Sequence, residues 1–104
     1  MDIWTFTESG DDGFYTTAHL TKKGCLIEAV GTLIDVLRIP TDSQKEFDEW
    51  KNDDPFSDKD GIPNLIGWRE MDTGHLAALF DCLETRTWDG DYYRCEMQQV
   101  TLKP

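Results

Sequence analysis

Two segments of the chain carry apolar residues at the spacing of a buried helix face. In the first, they recur at offsets of 0, 1, 4, 7, 8 and 11, at Leu26, Ile27, Val30, Leu33, Ile34 and Leu37. Thr21 is placed to cap this helix, and Pro40 disfavours helical backbone at Ile39, which predicts its end. In the second, which begins at Thr73, the offsets are 0, 3, 4 and 7, at Leu76, Leu79, Phe80 and Leu83. The pattern therefore predicts two core helices.

Alternating β-branched and aromatic residues predict a hairpin at the start of the chain. Its strands are expected at 3–7 and 14–20, on either side of the turn-forming segment 8–13. Because alternate side chains share a face, Trp4 and Phe6 are expected to point inward. On the second strand we expect the inward set to be Phe14, Thr16, Ala18 and Leu20. His19 then points outward and is interpreted as a surface histidine.

A second hairpin is predicted at the end of the chain, with strands at 85–88 and 92–102. Asp89-Gly90 between them is typical of a type I′ turn. The long final strand has two alternations, with Tyr93, Cys95 and Met97 on one and Val100 and Leu102 on the other. A bulge near Gln98 or Gln99 would bring both sets to one face.

A short third helix is predicted between the two core helices. Ser43 and Glu46 match the capping-box pattern, and the helix is expected to run to about Asn52. Its only large apolar residues are Phe47 and Trp50, so it is expected to lie on the surface, attached by one narrow aromatic edge. The whole chain is predicted to be one α+β domain, residues 1–104. It has an antiparallel sheet of about four strands in two hairpins, two core helices on one face and a short acidic surface helix.

Negative charge is concentrated around this short helix. The 104-residue chain has 21 Asp and Glu against 10 Lys and Arg, a net charge of −11, and residues 42–60 alone hold eight acidic and three basic residues. On a helix, residues 42, 46, 49 and 53 line one face at intervals of roughly 5 to 6 Å. Like charges at this spacing repel, and a basic partner would relieve the repulsion. The candidate partner-binding residues are Asp42, Glu46, Glu49, Asp53, Asp54, Phe56, Asp58 and Asp60.

The same charge excludes several classes of partner. Direct binding to nucleic acid or to an anionic membrane depends on clustered Lys and Arg, and the ten in this chain are scattered. No apolar run of about 18 residues is present, and the N-terminal segment lacks the features of a secretory signal. We therefore expect a cytoplasmic protein. The sequence leaves its oligomeric state open.

The sequence offers little support for catalysis or metal binding. Cys25, Cys82 and Cys95 lie in apolar segments without C-x-x-C spacing, which favours reduced core thiols over a nucleophile or a zinc site. A calcium loop centred on Gly61 would need carboxylates at positions occupied by Phe56 and Gly67. We expect no catalytic residue, no metal ligand and no cofactor. A small enzyme using His75 or a buried thiol is the third alternative.

The acidic stretch 42–60 and the aromatic residues within it favour a protein-binding function. We expect an inhibitor that occupies the positively charged surface of a nucleic-acid-handling protein. In size and acidity the chain resembles phage-encoded inhibitors of host defence, of the anti-CRISPR or anti-restriction type, and immunity proteins of nuclease toxins. The resemblance is one of class, and no motif carries it. The alternative is a structural or adaptor domain whose acidity only keeps it soluble.

Overall fold

The computed structural model describes residues 1–10, 13–53, 61–87 and 94–101. In chain order the elements are β1 (Asp2–Gly10), β2 (Gly13–His19), α1 (Lys22–Leu37), α2 (Gln44–Asp53), a 3₁₀ turn (Trp68–Glu70), α3 (Thr73–Thr87) and β3 (Arg94–Thr101). The strands form one antiparallel sheet in the order β2-β1-β3. The predicted α+β class is confirmed. The described residues contain three strands, whereas about four were expected.

The central strand β1 determines which side chains face the helices. Phe6 is buried, and its ring meets Phe80 of α3 edge to face at 6.3 Å between centroids. Helix α1 also contacts β1 and β2, so both core helices cover the face of the sheet that carries Phe6. That face includes Trp4, as the alternation predicted.

The expected facing of β2 is wrong. In the observed register Trp4 pairs with His19, and Phe6 pairs with Thr17, so the odd-numbered residues of β2 face the helices. Phe14, Thr16 and Ala18 point to the uncovered face, and Leu20 beyond the strand is also exposed. Both alternations of β2 mix apolar and polar residues, so the pattern alone could not choose between them. The pairing of Gly10 with Gly13 fixes the register and therefore determines which residues of β2 face the helices. It also extends β1 three residues beyond its predicted end.

The second hairpin also differs from expectation. Residues 85–87 belong to α3 instead of a strand, because no glycine or proline after the first turn interrupts the helix. The Thr85 hydroxyl donates to the Asp81 carbonyl at 2.9 Å, and the Arg86 guanidinium donates to the Cys82 carbonyl at 2.8 Å. Both side chains are thereby accommodated in the last turn. The predicted turn at 89–90 lies outside the described residues.

Strand β3 pairs with β1 in an uninterrupted register, from Asp2 with Thr101 to Ser9 with Arg94. The bulge expected near Gln98 or Gln99 is therefore absent from the described strand. Cys95 and Met97 are half-buried on the helix-facing side, whereas Val100 lies beside Ile3 on the open side. The two sets of apolar residues therefore lie on opposite faces of β3, and the open face of the sheet also carries apolar side chains. Tyr93 and Leu102 lie outside the described residues.

The two predicted core helices, α1 and α3, are confirmed. The Thr21 hydroxyl accepts the Gly24 backbone N–H at 3.0 Å, as expected of an N-cap. Helix α1 ends at Leu37 with Arg38 in the left-handed conformation (φ 57°), and the Arg38 backbone N–H donates to carbonyls of the last turn. The helix thus ends before Ile39, as Pro40 predicted, and the left-handed Arg38 supplies its cap.

Candidate functional site

Helix α2 begins at a hydroxyl cap and is held to the protein by an aromatic edge. The Ser43 hydroxyl accepts the backbone N–H of Glu46 at 3.4 Å, the half of the capping box that orients the first turn. Phe47 is 2% exposed, and its ring lies 5.8 Å from that of half-buried Trp50. As predicted, these two residues attach an otherwise polar helix to the core.

Two hydrogen bonds join the same side of α2 to the segment 61–66. The Lys51 ammonium donates to the Ile62 carbonyl at 2.9 Å, and the Asn64 amide donates to the Gln44 side-chain oxygen at 2.9 Å. Ile62 is itself buried. Lys51 is therefore directed toward the protein instead of lying along the row of carboxylates. Sequence reasoning did not find this arrangement, because nothing in the local pattern indicates the carbonyl that Lys51 reaches.

The opposite side of α2 brings three predicted carboxylates together. Glu46, Glu49 and Asp53 line an open cleft of about 560 Å³ with Trp50 and Asn52. All three carboxylates belong to exposed residues. No ion pair joins any of these three carboxylates to a lysine or arginine of the described residues. We call Glu46, Glu49 and Asp53 the acidic face.

The remaining predicted site residues lie beside α2 or outside the described residues. Asp42 is exposed and precedes α2 by two residues, so it lies next to the helix and not on it. Four others lie outside the described residues, namely Asp54, Phe56, Asp58 and Asp60. The acidic face is thus the part of the predicted site that the structure assembles.

A second cleft, not found by sequence reasoning, lies between α1 and the 3₁₀ turn. Its volume is about 280 Å³, and its lining includes Glu28, Asp35, Arg69 and the Trp68 ring. The Arg69 guanidinium stacks over that ring at 5.0 Å. A Cβ at Gly31 would meet the indole at 3.4 Å, so the ring packs against the helix backbone. This cleft is lined by charges of both signs, whereas the charged residues that line the acidic face are all carboxylates.

The cysteines have the environments of core thiols. Cys25 is buried, and Cys82 and Cys95 are half-buried, all three unpaired by disulfides. Burial, followed by the Glu28 charge, raises the pKa of the Cys25 thiol to about 11. Burial, followed by Glu84 and Glu8, raises the pKa of the Cys95 thiol to about 12. The thiols of Cys25 and Cys95 are therefore protonated at neutral pH, the opposite of what an activated nucleophile requires.

The two histidines lie in ordinary structural positions. His75 is exposed at the start of α3, where its backbone N–H and its ring nitrogen each meet the Asp72 carboxylate at 2.8 Å. His19 is half-buried on the helix-facing side of β2, with Nε2 3.1 Å from the Thr17 hydroxyl, so its expected outward position is wrong. His75 has the position of a capping-turn residue, and its hydrogen bonds within the described residues go to Asp72 and not to a thiol.

The described ranges hold neither a cluster of metal-ligating residues nor a membrane-spanning helix. No group of three or more His, Cys, Asp or Glu residues there is arranged to hold a metal ion. The helices among those ranges are also too short or too polar to span a bilayer. The carboxylates of the acidic face thus lie along an open surface and do not converge on a single point.

Comparison with known proteins adds no relative. No family model matches the chain, and no curated protein or solved structure shows significant similarity to it.

Proposed function

We propose that this protein is a non-enzymatic inhibitor that binds a basic, nucleic-acid-handling protein through the acidic face and blocks its positively charged surface. The observation that carries the proposal is the arrangement of Glu46, Glu49 and Asp53 around half-buried Trp50. Three carboxylates without described ionic partners form a surface that a lysine- or arginine-rich groove would complement. Such a protein would act in the cytoplasm and need no cofactor.

The direction of Lys51 supports this proposal. Had its ammonium lain between the carboxylates, the helix would have neutralised part of its own charge. Its bond to the Ile62 carbonyl instead places the ammonium on the side that is anchored to the protein. Lys51 therefore does not offset the repulsion along the acidic face, which would be relieved on binding a cation-rich surface.

Trp50 supplies the apolar component that such an interface requires. Interfaces are commonly anchored by a few aromatic residues surrounded by polar groups that exclude water. The half-buried indole lies in the same cleft as the carboxylates, and the Phe47 ring packs against it. Charge would then accelerate the encounter, and contact with the indole would slow dissociation.

The experiment is a capture of partners from a cell lysate on immobilised protein, with washes of rising salt concentration. The test variant reverses the acidic face (E46K, E49K and D53K). A matched control reverses three exposed carboxylates elsewhere, at Glu28, Glu70 and Asp81, and has the same net charge. We expect the wild-type chain and the control to retain a basic nucleic-acid-binding protein, and the test variant to lose it. Bound nucleic acid on the captured protein should be displaced by the wild-type chain.

Two results would reject the proposal. Equal loss of binding in both triple variants would show that only the overall charge matters. Retention of the same partner by the acidic-face variant would leave this charge with the solubilising role of an adaptor domain. Since surface charges away from structural contacts change stability by only about 0.5 kcal/mol, circular dichroism should show both variants folded.

A further inference from the structure

The open edge of the sheet at β2 lacks the devices that normally prevent strands from pairing. Edge strands are usually protected by charged side chains, proline or a bulge. β2 contains none of these, and its register with β1 is continuous. The other edge strand, β3, carries Arg94 and Glu96. β2 is therefore the unprotected edge of the described sheet.

The hairpin geometry identifies the backbone groups at this edge. Gly10 and Gly13 are separated by two residues and pair with one another, so they form a hydrogen-bonded pair, and such pairs alternate along an antiparallel ladder. The odd-numbered residues of β2 consequently bond to β1. The backbone N–H and C=O groups of Phe14, Thr16 and Ala18 point away from β1, toward the open edge.

The side chains of these three residues extend the same surface over the open face of the sheet. Phe14 is 72% exposed, and Leu20 just beyond the strand is 74% exposed. Residues 13–20 contain no Asp, Glu, Lys or Arg, in a chain of which 30% is charged. Two copies with a net charge of −11 can approach along this edge without bringing like charges into contact. This neutral edge favours a second copy of the chain over a basic partner as its occupant.

We infer that two copies of this chain form a dimer by antiparallel pairing of β2 with β2 about a two-fold axis at Thr16. In this register Thr16 pairs with Thr16 of the second copy, and Phe14 pairs with Ala18 of the second copy. By symmetry Ala18 also pairs with Phe14 of the second copy. All three pairs use the outward backbone groups, with two hydrogen bonds in each. The product is one sheet of six described strands, in the order β3-β1-β2-β2-β1-β3. Isologous pairing of this kind closes at two chains.

The test is the mass of the full chain in solution, measured by sedimentation over a wide range of chain concentration. T16K places an ammonium beside its own symmetry mate, which is how natural edges avoid pairing. T16P removes the outward N–H and the hydroxyl bond of Thr16 to Thr7, but it keeps the backbone bonds of β2 to β1. Q98K is the matched control, because Gln98 lies on the same open face but on β3. Circular dichroism confirms that each variant is folded.

We expect the wild-type chain and Q98K to dimerise equally, and T16K and T16P to weaken dimerisation about tenfold or more. High salt should leave the wild-type dimer intact, whereas binding through the acidic face should weaken, which separates the two proposals. A wild-type chain that remains at 12.0 kDa at the highest concentration would overturn the inference. So would open-ended assembly, equal disruption by Q98K, which indicates stacking of the open faces, or undiminished dimerisation of T16P.

Discussion

Helices α1 and α2 both contribute to the hydrophobic core but depend on different interactions. α1 buries six residues, from Cys25 to Ile34, whereas α2 buries Phe47 alone. α1 is therefore stabilised chiefly by apolar contact with α3 and the sheet. α2 is stabilised by one buried ring, its neighbour Trp50 and the polar bonds of Lys51 and Gln44 to the segment 61–66.

This difference separates the part of the molecule that maintains the fold from the part that is available for binding. Charge on α1 is confined to positions outside the buried stripe, since any other position would place a carboxylate in the core. α2 has a narrow attachment, which leaves most of its circumference free for carboxylates. The acidic face therefore occupies a helix that contributes little to the core, and its residues can change without loss of the fold.

The largest effect is expected from a truncation in α1. Leu33 is completely buried, so L33A should remove about 2 to 5 kcal/mol from the free energy of unfolding through lost burial and the cavity left behind. V36A is the matched control on the same helix, because Val36 is 42% exposed and should cost about 1 kcal/mol or less. Urea denaturation measures both. Equal losses in the two variants would show that α1 is not the centre of the core.

A smaller global effect is expected from F47A in α2. If α2 detaches as a local unit, the loss of global stability is limited to the free energy of its docking, which we expect to be about 2 kcal/mol or less. Hydrogen exchange should then show lost protection in 44–53, with α1 and α3 unchanged. F47L, which keeps an apolar side chain there, should retain much of the protection. A uniform loss of protection across all three helices would show that α2 belongs to the same cooperative unit.

The contrast also explains which parts of the fold could be predicted. A helical stripe such as that from Leu26 to Leu37 identifies both the element and its buried face, because a helix has one core-facing direction. β2 offers two alternations of mixed character, so its facing depended on the length of the turn. The end of α3 was missed because the hydroxyl of Thr85 and the guanidinium of Arg86 bond to helix carbonyls, which local strand propensity does not register.

The acidic face was predictable for the same geometric reason as the core stripe. Residues 46, 49 and 53 share a helix face whatever the tertiary structure, and the structure places them together. The direction of Lys51 and the cleft beside Trp68 depend on contacts between distant segments, for which a single sequence carries no periodic signal.

The smallest effect on stability is expected at the N-terminal caps of α3 and α2. The Asp72 carboxylate accepts the His75 backbone N–H at 2.8 Å, and this bond, with the ring of His75, holds the pKa of Asp72 below its usual value of 3.8. Because the folded state has the lower pKa, the carboxylate stabilises the fold above pH 3.8, and this contribution is lost as the pH falls through the lowered value.

We therefore expect D72N, which keeps an oxygen acceptor but removes the charge, to be slightly less stable than the wild-type chain at neutral pH. The difference should vanish in acid, as measured by urea denaturation at a series of pH values. S43A in α2 loses a hydroxyl cap that does not titrate, so its deficit should persist at every pH at which the chain is folded. A D72N deficit that did not change with pH would show that the charge of Asp72 contributes nothing to α3, leaving both helices with caps of the same kind.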